Sequence, residues 1–178
     1  QPDRKMGFLR DNQPLKGDKV RCLRDEVAAV AATSSDAANE ALQLIDVEYE
    51  ELPAVFDPFE ALEDDAPLVH EEFGTNRIDR LGRNYQHGDV DTAFAKCDAV
   101  VEQEYRVQYV NHVSMGTTFC MAEWDDKGFL TFWSSTQMPF LVQKDLSEIL
   151  GIPGNHIRVV QPTIGGAFGK HLDTYPFE

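Results

Sequence analysis

Apolar and polar residues follow a pattern that predicts regular elements along most of the chain, beginning with a small unit near its start. Short apolar runs at Val20–Leu23 and Val27–Ala32 indicate strands, although the alanines of the second run also suit a helix. The Thr-Ser-Ser run at 33–35 offers helix caps, and a helix follows over 37–44. Alternation over Val47–Leu52 indicates a half-buried strand. This order is typical of an α+β module.

Long alternation and a turn signal predict a sheet in the second half. Residues Ala99–Tyr109 alternate as in a long strand. Two further apolar runs, Phe119–Trp124 and Phe129–Ser134, flank the turn sequence Asp-Asp-Lys-Gly at 125–128. Such a sequence between alternating runs predicts a β-hairpin.

A helix and a strand are predicted after the hairpin. Pro139 is placed to begin a helix over Phe140–Leu150, and Gly151 is placed to end it. The β-prone run Ile157–Val160 follows. Earlier, the polar stretch 69–91 contains three glycines and is the best candidate for a domain boundary.

Charge and cysteine usage narrow the classes of partner and compartment. The chain has 16 Lys+Arg against 31 Asp+Glu, a formal charge of -15, which argues against nucleic acid or an anionic membrane as partner. No apolar run approaches the roughly 20 residues of a membrane span. Cys22, Cys97 and Cys120 are widely spaced, so we expect buried thiols in a reducing, cytoplasmic compartment and no metal centre on these residues.

A glycine-rich loop follows the last predicted strand and is the strongest candidate for a binding site. It reads Gly165-Gly166-Ala167-Phe168-Gly169. Glycine is favoured where φ is positive or where another atom must approach the backbone closely, and successive N–H groups in such a turn can bind oxygens. The spacing fits neither a P-loop nor the dinucleotide-binding fingerprint. A tight turn is the simpler interpretation of the glycine pair by itself.

Gln137 is a second candidate, because it lies where a strand gives way to a helix. Its amide can donate and accept hydrogen bonds in a loop of a kind that often holds ligands. The alternative is that this segment only caps the helix through Ser135 or Thr136. A third loop, 111–118, contains His112, which is equally consistent with a structural histidine. Without a catalytic triad or paired carboxylates, these loops suit a cofactor platform.

Several motifs in one order resemble the large, molybdenum-binding subunit of the xanthine dehydrogenase/aldehyde oxidase family. The first part of the chain, from Asp18–Ala31 to Asp46–Pro53, is similar to that family's a/b hammerhead domain. The motifs of the second part are His112-x-x-Met115, Ala122-Glu123-Trp124, Trp133-Ser134-Ser135-Thr136-Gln137-x-Pro139, Leu150-Gly151-Ile152-Pro153 with Ile157-Arg158-Val159, and the glycine loop. Residues 26–32 and 48–52 lean toward the 4-hydroxybenzoyl-CoA reductase branch.

The resemblance implies a fold and a domain order. It implies an α+β fold, with a partial a/b hammerhead domain followed by the N-terminal part of a molybdopterin-binding domain. We expect an N-terminally incomplete hammerhead domain at 1–70, a linker at 71–88, and the start of the cofactor-binding domain at 89–178. We therefore expect the chain to be a fragment that is inactive alone.

The resemblance also implies a function. Its members are molybdenum oxidoreductases that hydroxylate or dehydroxylate aromatic, heteroaromatic or thioester substrates. The cofactor would be a molybdopterin, as the cytosine dinucleotide, and iron–sulfur and FAD subunits would be partners. Gln137 matches a glutamine whose amide bonds a molybdenum ligand. The loop residues Gly165, Gly166, Ala167, Phe168 and Gly169 match the segment whose N–H groups approach the metal and pterin.

Departures from the family pattern leave a competing hypothesis. Gly116 stands where the family usually has Glu, Ala167 replaces a glycine, and Lys170-His171 follows the loop. The family's catalytic glutamate lies beyond this sequence, so we assign no catalytic residue and no metal ligand. A non-catalytic scaffold or binding module that keeps the fold is the alternative, and Gly116 and Ala167 are its best support.

Overall fold

The computed structural model describes residues 4–79, 82, 84–176 and 178. These divide into two compact units, one formed by Gln1–Leu52 with His112–Glu178 and the other by Pro53–Asn111. In chain order the helices and strands are α1 (Ser35–Gln43), α2 (Val90–Ala95), β1 (Cys120–Trp124), β2 (Leu130–Ser134), α3 (Pro139–Leu150) and β3 (Ile157–Val160). Short 3-10 turns lie at Glu60–Leu62, Glu71–Phe73 and Gly154–His156.

The first unit is built around a three-stranded sheet of order β1-β2-β3. Strands β1 and β2 pair antiparallel, and β2 and β3 pair parallel. The pairing of β1 with β2 confirms the predicted hairpin. In its turn, the side chain of Asp125 accepts from the N–H of Lys127 at 3.0 Å and from the N–H of Phe129 at 2.7 Å. Gly128 completes the turn with φ +80°. Local turn chemistry therefore fixes the β1–β2 register.

Helix α3 connects the two parallel strands and covers the sheet. Pro139 occupies its first turn, and Gly151 ends it in the left-handed region with φ 74°, both as predicted. The side chain of Gln143 donates to the carbonyl oxygens of Gly154 at 3.1 Å and Ile157 at 2.7 Å, which holds the α3–β3 turn. The buried core of this layer is Leu130, Phe132, Val142, Leu146 and Ile157.

The amino-terminal segment is anchored to α3 and to the segment after β3 by two carboxylates. Asp145 on α3 accepts from the N–H of Gly7 at 2.9 Å and also pairs with Arg10. Asp173 accepts from the N–H of Phe8 at 3.0 Å. These hydrogen bonds join parts of unit 1 that are far apart in sequence.

A buried ion pair lies in the same unit. Lys16 is 7% exposed, and its Nζ lies 3.6 Å from Asp25 and 2.9 Å from the carbonyl oxygen of Gln13. Burial alone would raise the pKa of Asp25, but the N–H of Arg21 and the charge of Lys16 outweigh it, so that pKa is lowered.

Helix α1 confirms the predicted cap, because the hydroxyl of Ser34 accepts from the N–H of Ala37 at 3.2 Å. Four of the predicted strands are wrong. Residues 20–23, 27–32, 47–52 and 99–109 have no regular secondary structure. Alternation of apolar and polar residues shows that one face of a segment could be buried, but a strand also needs a neighbouring strand for its backbone hydrogen bonds. Among the described residues, only β1, β2 and β3 form a sheet.

The expectation of buried thiols is also wrong. Cys22, Cys97 and Cys120 are all exposed, because the core lies between α3 and the sheet and none of the three belongs to it. Within the described part of the chain, no helix is long and apolar enough to cross a membrane.

Candidate functional site

The two candidate segments lie at the same edge of the sheet. Gln137 follows β2, and the glycine loop follows β3. Because β2 and β3 are neighbouring parallel strands, their carboxyl ends meet at one edge. Ligands of open parallel sheets commonly bind at this edge, where successive loops converge. The register of β2 and β3 therefore brings Gln137 and the loop together.

The glycine loop has a conformation that accounts for its glycines. Gly165, Gly166 and Gly169 have φ of 69°, 96° and 93°, in the region that favours glycine. The ring of Phe168 lies over Gly166, where an added Cβ would be 3.1 Å from Cε2. Ala167 is 6% exposed and is not among the residues with positive φ, so its methyl group fits.

Gly116 and the glycine loop meet backbone to backbone. The N–H of Gly116 donates to the carbonyl oxygen of Gly165 at 3.3 Å. A Cβ on Gly116 would lie 1.9 Å from the carbonyl oxygen of Ile164, and a Cβ on Gly165 would lie 2.7 Å from the nitrogen of Gly116. Neither position has room for a side chain, so segment 112–116 and the loop hold each other in place.

Gln137 is tied to His171, two residues after the glycine loop, by two hydrogen bonds. Its backbone N–H donates to the carbonyl oxygen of His171 at 2.9 Å, and its side-chain Oε1 accepts from the N–H of His171 at 3.3 Å. Among the described residues, none accepts from its Nε2 amide. The carbonyl end of the amide is thus anchored, and the NH₂ end is available to donate.

The imidazole of His171 is buried and incompletely satisfied. The residue is 2% exposed, and its Nε2 has no hydrogen-bond partner among the described residues. Burial lowers the pKa of His171, and the nearby charges of Lys170 and His112 lower it further. The ring is therefore neutral at pH 7 and can either donate or accept through Nε2.

Strained backbone occurs in both segments that meet at Gly116. Val113 has φ 47° and Phe168 has φ 53°, although neither is a glycine. Positive φ at a β-branched or bulky residue costs energy, and such strain is often found at functional sites. The strain indicates that the contact between the segments over-determines their conformation.

The segment after β2 does not act as a helix cap. Met138 is the N-cap of α3, and the hydroxyl of Thr136 accepts from the N–H of Met138 at 2.9 Å, outside the helix. The hydroxyl of Ser135 exchanges hydrogen bonds with the backbone of Phe119 at 3.1 and 3.3 Å. The alternative interpretation of Ser135 and Thr136 as capping residues is therefore wrong.

Two residues of the site were not singled out as site residues from the sequence. Gly116 and His171 were departures from a pattern, yet they contact Gly165 and Gln137. The signal in the sequence was their position, since Gly116 lies in the same predicted loop as His112, and His171 lies two residues after the glycine loop. Within the described residues, no group of three His, Cys, Asp or Glu is placed to hold a metal ion.

Comparisons with known proteins identify both parts of the chain. The family described as molybdopterin cofactor-binding domain matches residues 69–178. The family described as aldehyde oxidase and xanthine dehydrogenase, a/b hammerhead domain, matches residues 2–53. The predicted α+β class with these two parts is confirmed, whereas the boundaries at 70 and 88 stay predictions.

Individual relatives agree with the family matches. The nicotinate dehydrogenase large molybdopterin subunit of Eubacterium barkeri is 37% identical over 93% of this chain and 38% of its own length. The carbon monoxide dehydrogenase large chain of Afipia carboxidovorans is 34% identical over 90% of this chain and 21% of its own length. The crystal structure of a Cu,Mo-CO dehydrogenase in its carbon monoxide reduced state superposes with a TM-score of 0.75 at 34% identity, covering 92% of this chain and 22% of that one. The chain spans between about a fifth and two fifths of the length of these relatives.

Proposed function

We propose that this chain is the part of a molybdenum hydroxylase large subunit that binds the cofactor. The chain belongs to the molybdopterin cofactor-binding domain family, and its first part matches the a/b hammerhead domain of aldehyde oxidase and xanthine dehydrogenase. The reaction of the whole protein would be the hydroxylation or dehydroxylation of an activated carbon. The hammerhead part would occupy residues 1–70 and the linker 71–88, before the cofactor-binding part at 89–178.

The observation that carries this proposal is the anchored amide of Gln137 beside the glycine loop. The N–H of His171 holds Oε1, and the amide NH₂ would donate to an oxygen ligand of the metal. An uncharged donor of this kind orients an oxygen without adding a net charge to the centre. The bound cofactor would supply the oxygen-transfer and electron-transfer chemistry.

The glycine loop supports cofactor binding through its backbone conformation, because Gly165, Gly166 and Gly169 have the positive φ that glycine adopts readily. The space of a Cβ is filled by Gly116 at Gly165 and by the ring of Phe168 at Gly166, whereas a Cβ on Gly169 would lie 3.8 Å from its nearest neighbours, so a ligand can approach the backbone there. The buried Nε2 of His171, which has no partner among the described residues, offers one further polar contact. Gly165, Gly166, Ala167, Phe168 and Gly169 would thus hold the pterin, and Gln137 would orient a metal ligand.

The finer parts of the proposal concern substrate, cofactor form and partners. The substrate would be a small aromatic, heteroaromatic or thioester compound. The heteroaromatic class has the most support, because the relative from Eubacterium barkeri is named for nicotinate. A reductase of 4-hydroxybenzoyl-CoA type is supported only by residues 26–32 and 48–52. The cofactor would be the cytosine dinucleotide form, and partner subunits would carry iron–sulfur clusters and FAD.

The scaffold alternative loses its sequence support. Gly116 is required by the backbone contact with Gly165, and Ala167 sits where a methyl group is accommodated. Both departures thus have a packing explanation that is compatible with cofactor binding. Neither favours a module that has lost its chemistry.

The test is metal and nucleotide analysis of the full-length protein purified with its neighbouring subunits. Stoichiometric molybdenum with released cytidine nucleotide is the expected result. Gln137→Glu should lower activity while the loop keeps its fold, because the carboxylate retains the acceptor for His171 but cannot donate. Gln103→Glu, at an exposed position whose side-chain oxygen accepts from the hydroxyl of Tyr105, is the matched control. A folded native preparation without molybdenum would overturn the proposal.

A further inference from the structure

Three side chains lie close to the glycine loop or to the residue that follows it. The Nζ of Lys170 lies 3.4 Å from the hydroxyl of Ser114. The Nε2 of His112 lies 3.8 Å from the position of a Cβ on Gly169, so the absence of a side chain at 169 leaves room beside the imidazole. We call His112, Ser114 and Lys170 the cationic cluster.

Within the part of the chain that the structure describes, the cationic cluster has no acidic partner. Among the described residues, no carboxylate pairs with Lys170. Lys170 is a half-buried residue, and a lysine that is partly removed from water without a carboxylate partner favours an anion from outside the chain.

The hydrogen bonds inside the cluster are long and easily exchanged. Ser114 accepts from Lys170 at 3.4 Å and donates to the carbonyl oxygen of Gly116 at 3.4 Å. Both distances are near the outer limit of a hydrogen bond. An oxygen of a ligand could therefore take the place of either partner at little cost.

The buried His171 supplies a second observation. Its Nε2 is unpartnered within the described residues, and the ring lies close enough to His112 and Lys170 for their charges to act on it. A buried polar atom without a partner is costly unless a ligand or water satisfies it. The cluster and this nitrogen thus offer up to four polar contacts near the loop.

We propose that His112, Ser114 and Lys170 form an oxyanion subsite that binds a carboxylate or phosphate group beside the glycine loop. Lys170 supplies the charge, Ser114 donates through its hydroxyl, and His112 contacts the anion from the opposite segment. Only the identity of the molecule that carries the anion rests on the proposed function. The anion would be either a carboxylate of the substrate or a phosphate of the cofactor.

The test is a titration of the purified, cofactor-free protein with sodium benzoate and with inorganic phosphate, followed by amide NMR at constant ionic strength. The expected result is saturable shifts at Gly169 and Lys170, with about tenfold weaker binding in Lys170→Met, because a charge-assisted hydrogen bond is lost. Ser114→Ala should weaken binding by a smaller factor. Lys144→Met, which removes an exposed lysine of α3, is the matched control and should bind as the unchanged protein does.

The two anions distinguish the carriers. Preference for benzoate assigns the subsite to a substrate carboxylate, and preference for phosphate assigns it to the cofactor. Linear, unsaturated shifts, or equal weakening by Lys170→Met and Lys144→Met, would overturn the subsite. Because the titration needs no molybdenum, its failure leaves the metal analysis of the full-length protein unaffected, and the two proposals can fail separately.

Discussion

The backbone N–H of Gly116 donates to the carbonyl oxygen of Gly165, and the two backbone segments approach so closely that neither residue could carry a side chain. This contact joins a segment before β1 to the loop after β3. It explains why Val113 and Phe168, on either side of the junction, tolerate positive φ. The shape of the glycine loop therefore depends on a residue that is distant in sequence.

We expect Gly116→Ala to destabilise the protein by at least about 2 kcal/mol, because overpacking against a fixed backbone has this cost. The new methyl carbon would lie 1.9 Å from the carbonyl oxygen of Ile164, so the loop must move. Urea denaturation measures the loss. Amide NMR should show shifts centred on Gly165.

Gly17→Ala is the matched control for that variant. Gly17 has nothing within 4 Å of an added Cβ and has no positive φ, so the free energy of unfolding should stay within about 0.5 kcal/mol. Equal stability of the two variants would show that the contact between Gly116 and the loop does not form in solution.

We expect Gln137→Ala to speed amide exchange at His171 about fivefold, because a hydrogen bond of this type contributes about 1 kcal/mol. In the unchanged protein, Oε1 of Gln137 accepts from that N–H at 3.3 Å. Gln137→Glu retains an acceptor and should preserve the slow exchange. Equal exchange rates in Gln137→Ala and the unchanged protein would contradict the anchoring of the amide.

We expect Lys16→Met to cost about 3 kcal/mol of stability, because removal of one partner leaves a buried charge uncompensated. Lys16 and Asp25 have side chains only 4% and 10% exposed. Thermal or urea unfolding measures the effect. Adding Asp25→Asn to Lys16→Met should recover part of the loss, whereas Lys144→Met, at an exposed position, should have little effect.

Asp173 should make stability fall as the pH rises. Burial raises the pKa of Asp173, the N–H groups of Thr174 and Phe8 oppose this, and the charges of Asp145 and Asp11 raise it further, so the folded pKa exceeds the ordinary value of 3.8. A group with a raised pKa in the folded state binds protons more tightly when folded, and its contribution is lost as the pH passes from 3.8 up through the folded pKa.

Asp173→Asn removes this titration and keeps an acceptor for the N–H of Phe8. The stability of the variant relative to the unchanged protein should therefore increase with pH in a window that begins near 3.8. Urea unfolding of both proteins between about pH 3 and pH 7 measures the difference. A difference that stays constant or decreases over this range would contradict the raised pKa.

The elements that the sequence predicts correctly are those specified by neighbouring residues. The hairpin depends on Asp125 and Gly128, and helix α3 depends on Pro139 and Gly151. The strand predicted at 99–109 failed because alternation does not identify a pairing partner. Tertiary partners, and not propensity, decide whether such a segment becomes a strand.

The candidate site shows the same division. Gln137 and the glycines were found from their position and from a resemblance to a family, and they lie at one edge of the sheet. Their contacts with His171 and Gly116 were not predictable, because they depend on how separate loops cross. A departure from a family motif is informative only when its neighbours in space are known.

The core and both site loops come from one short, continuous stretch, because β2, α3 and β3 follow one another and supply all five core residues. Contacts between segments that are close in sequence require little loop closure and form quickly. This stretch would thus be expected to fold early. The long-range contacts made by Gly7, Phe8 and Gly116 would then be added to a framework that is already ordered.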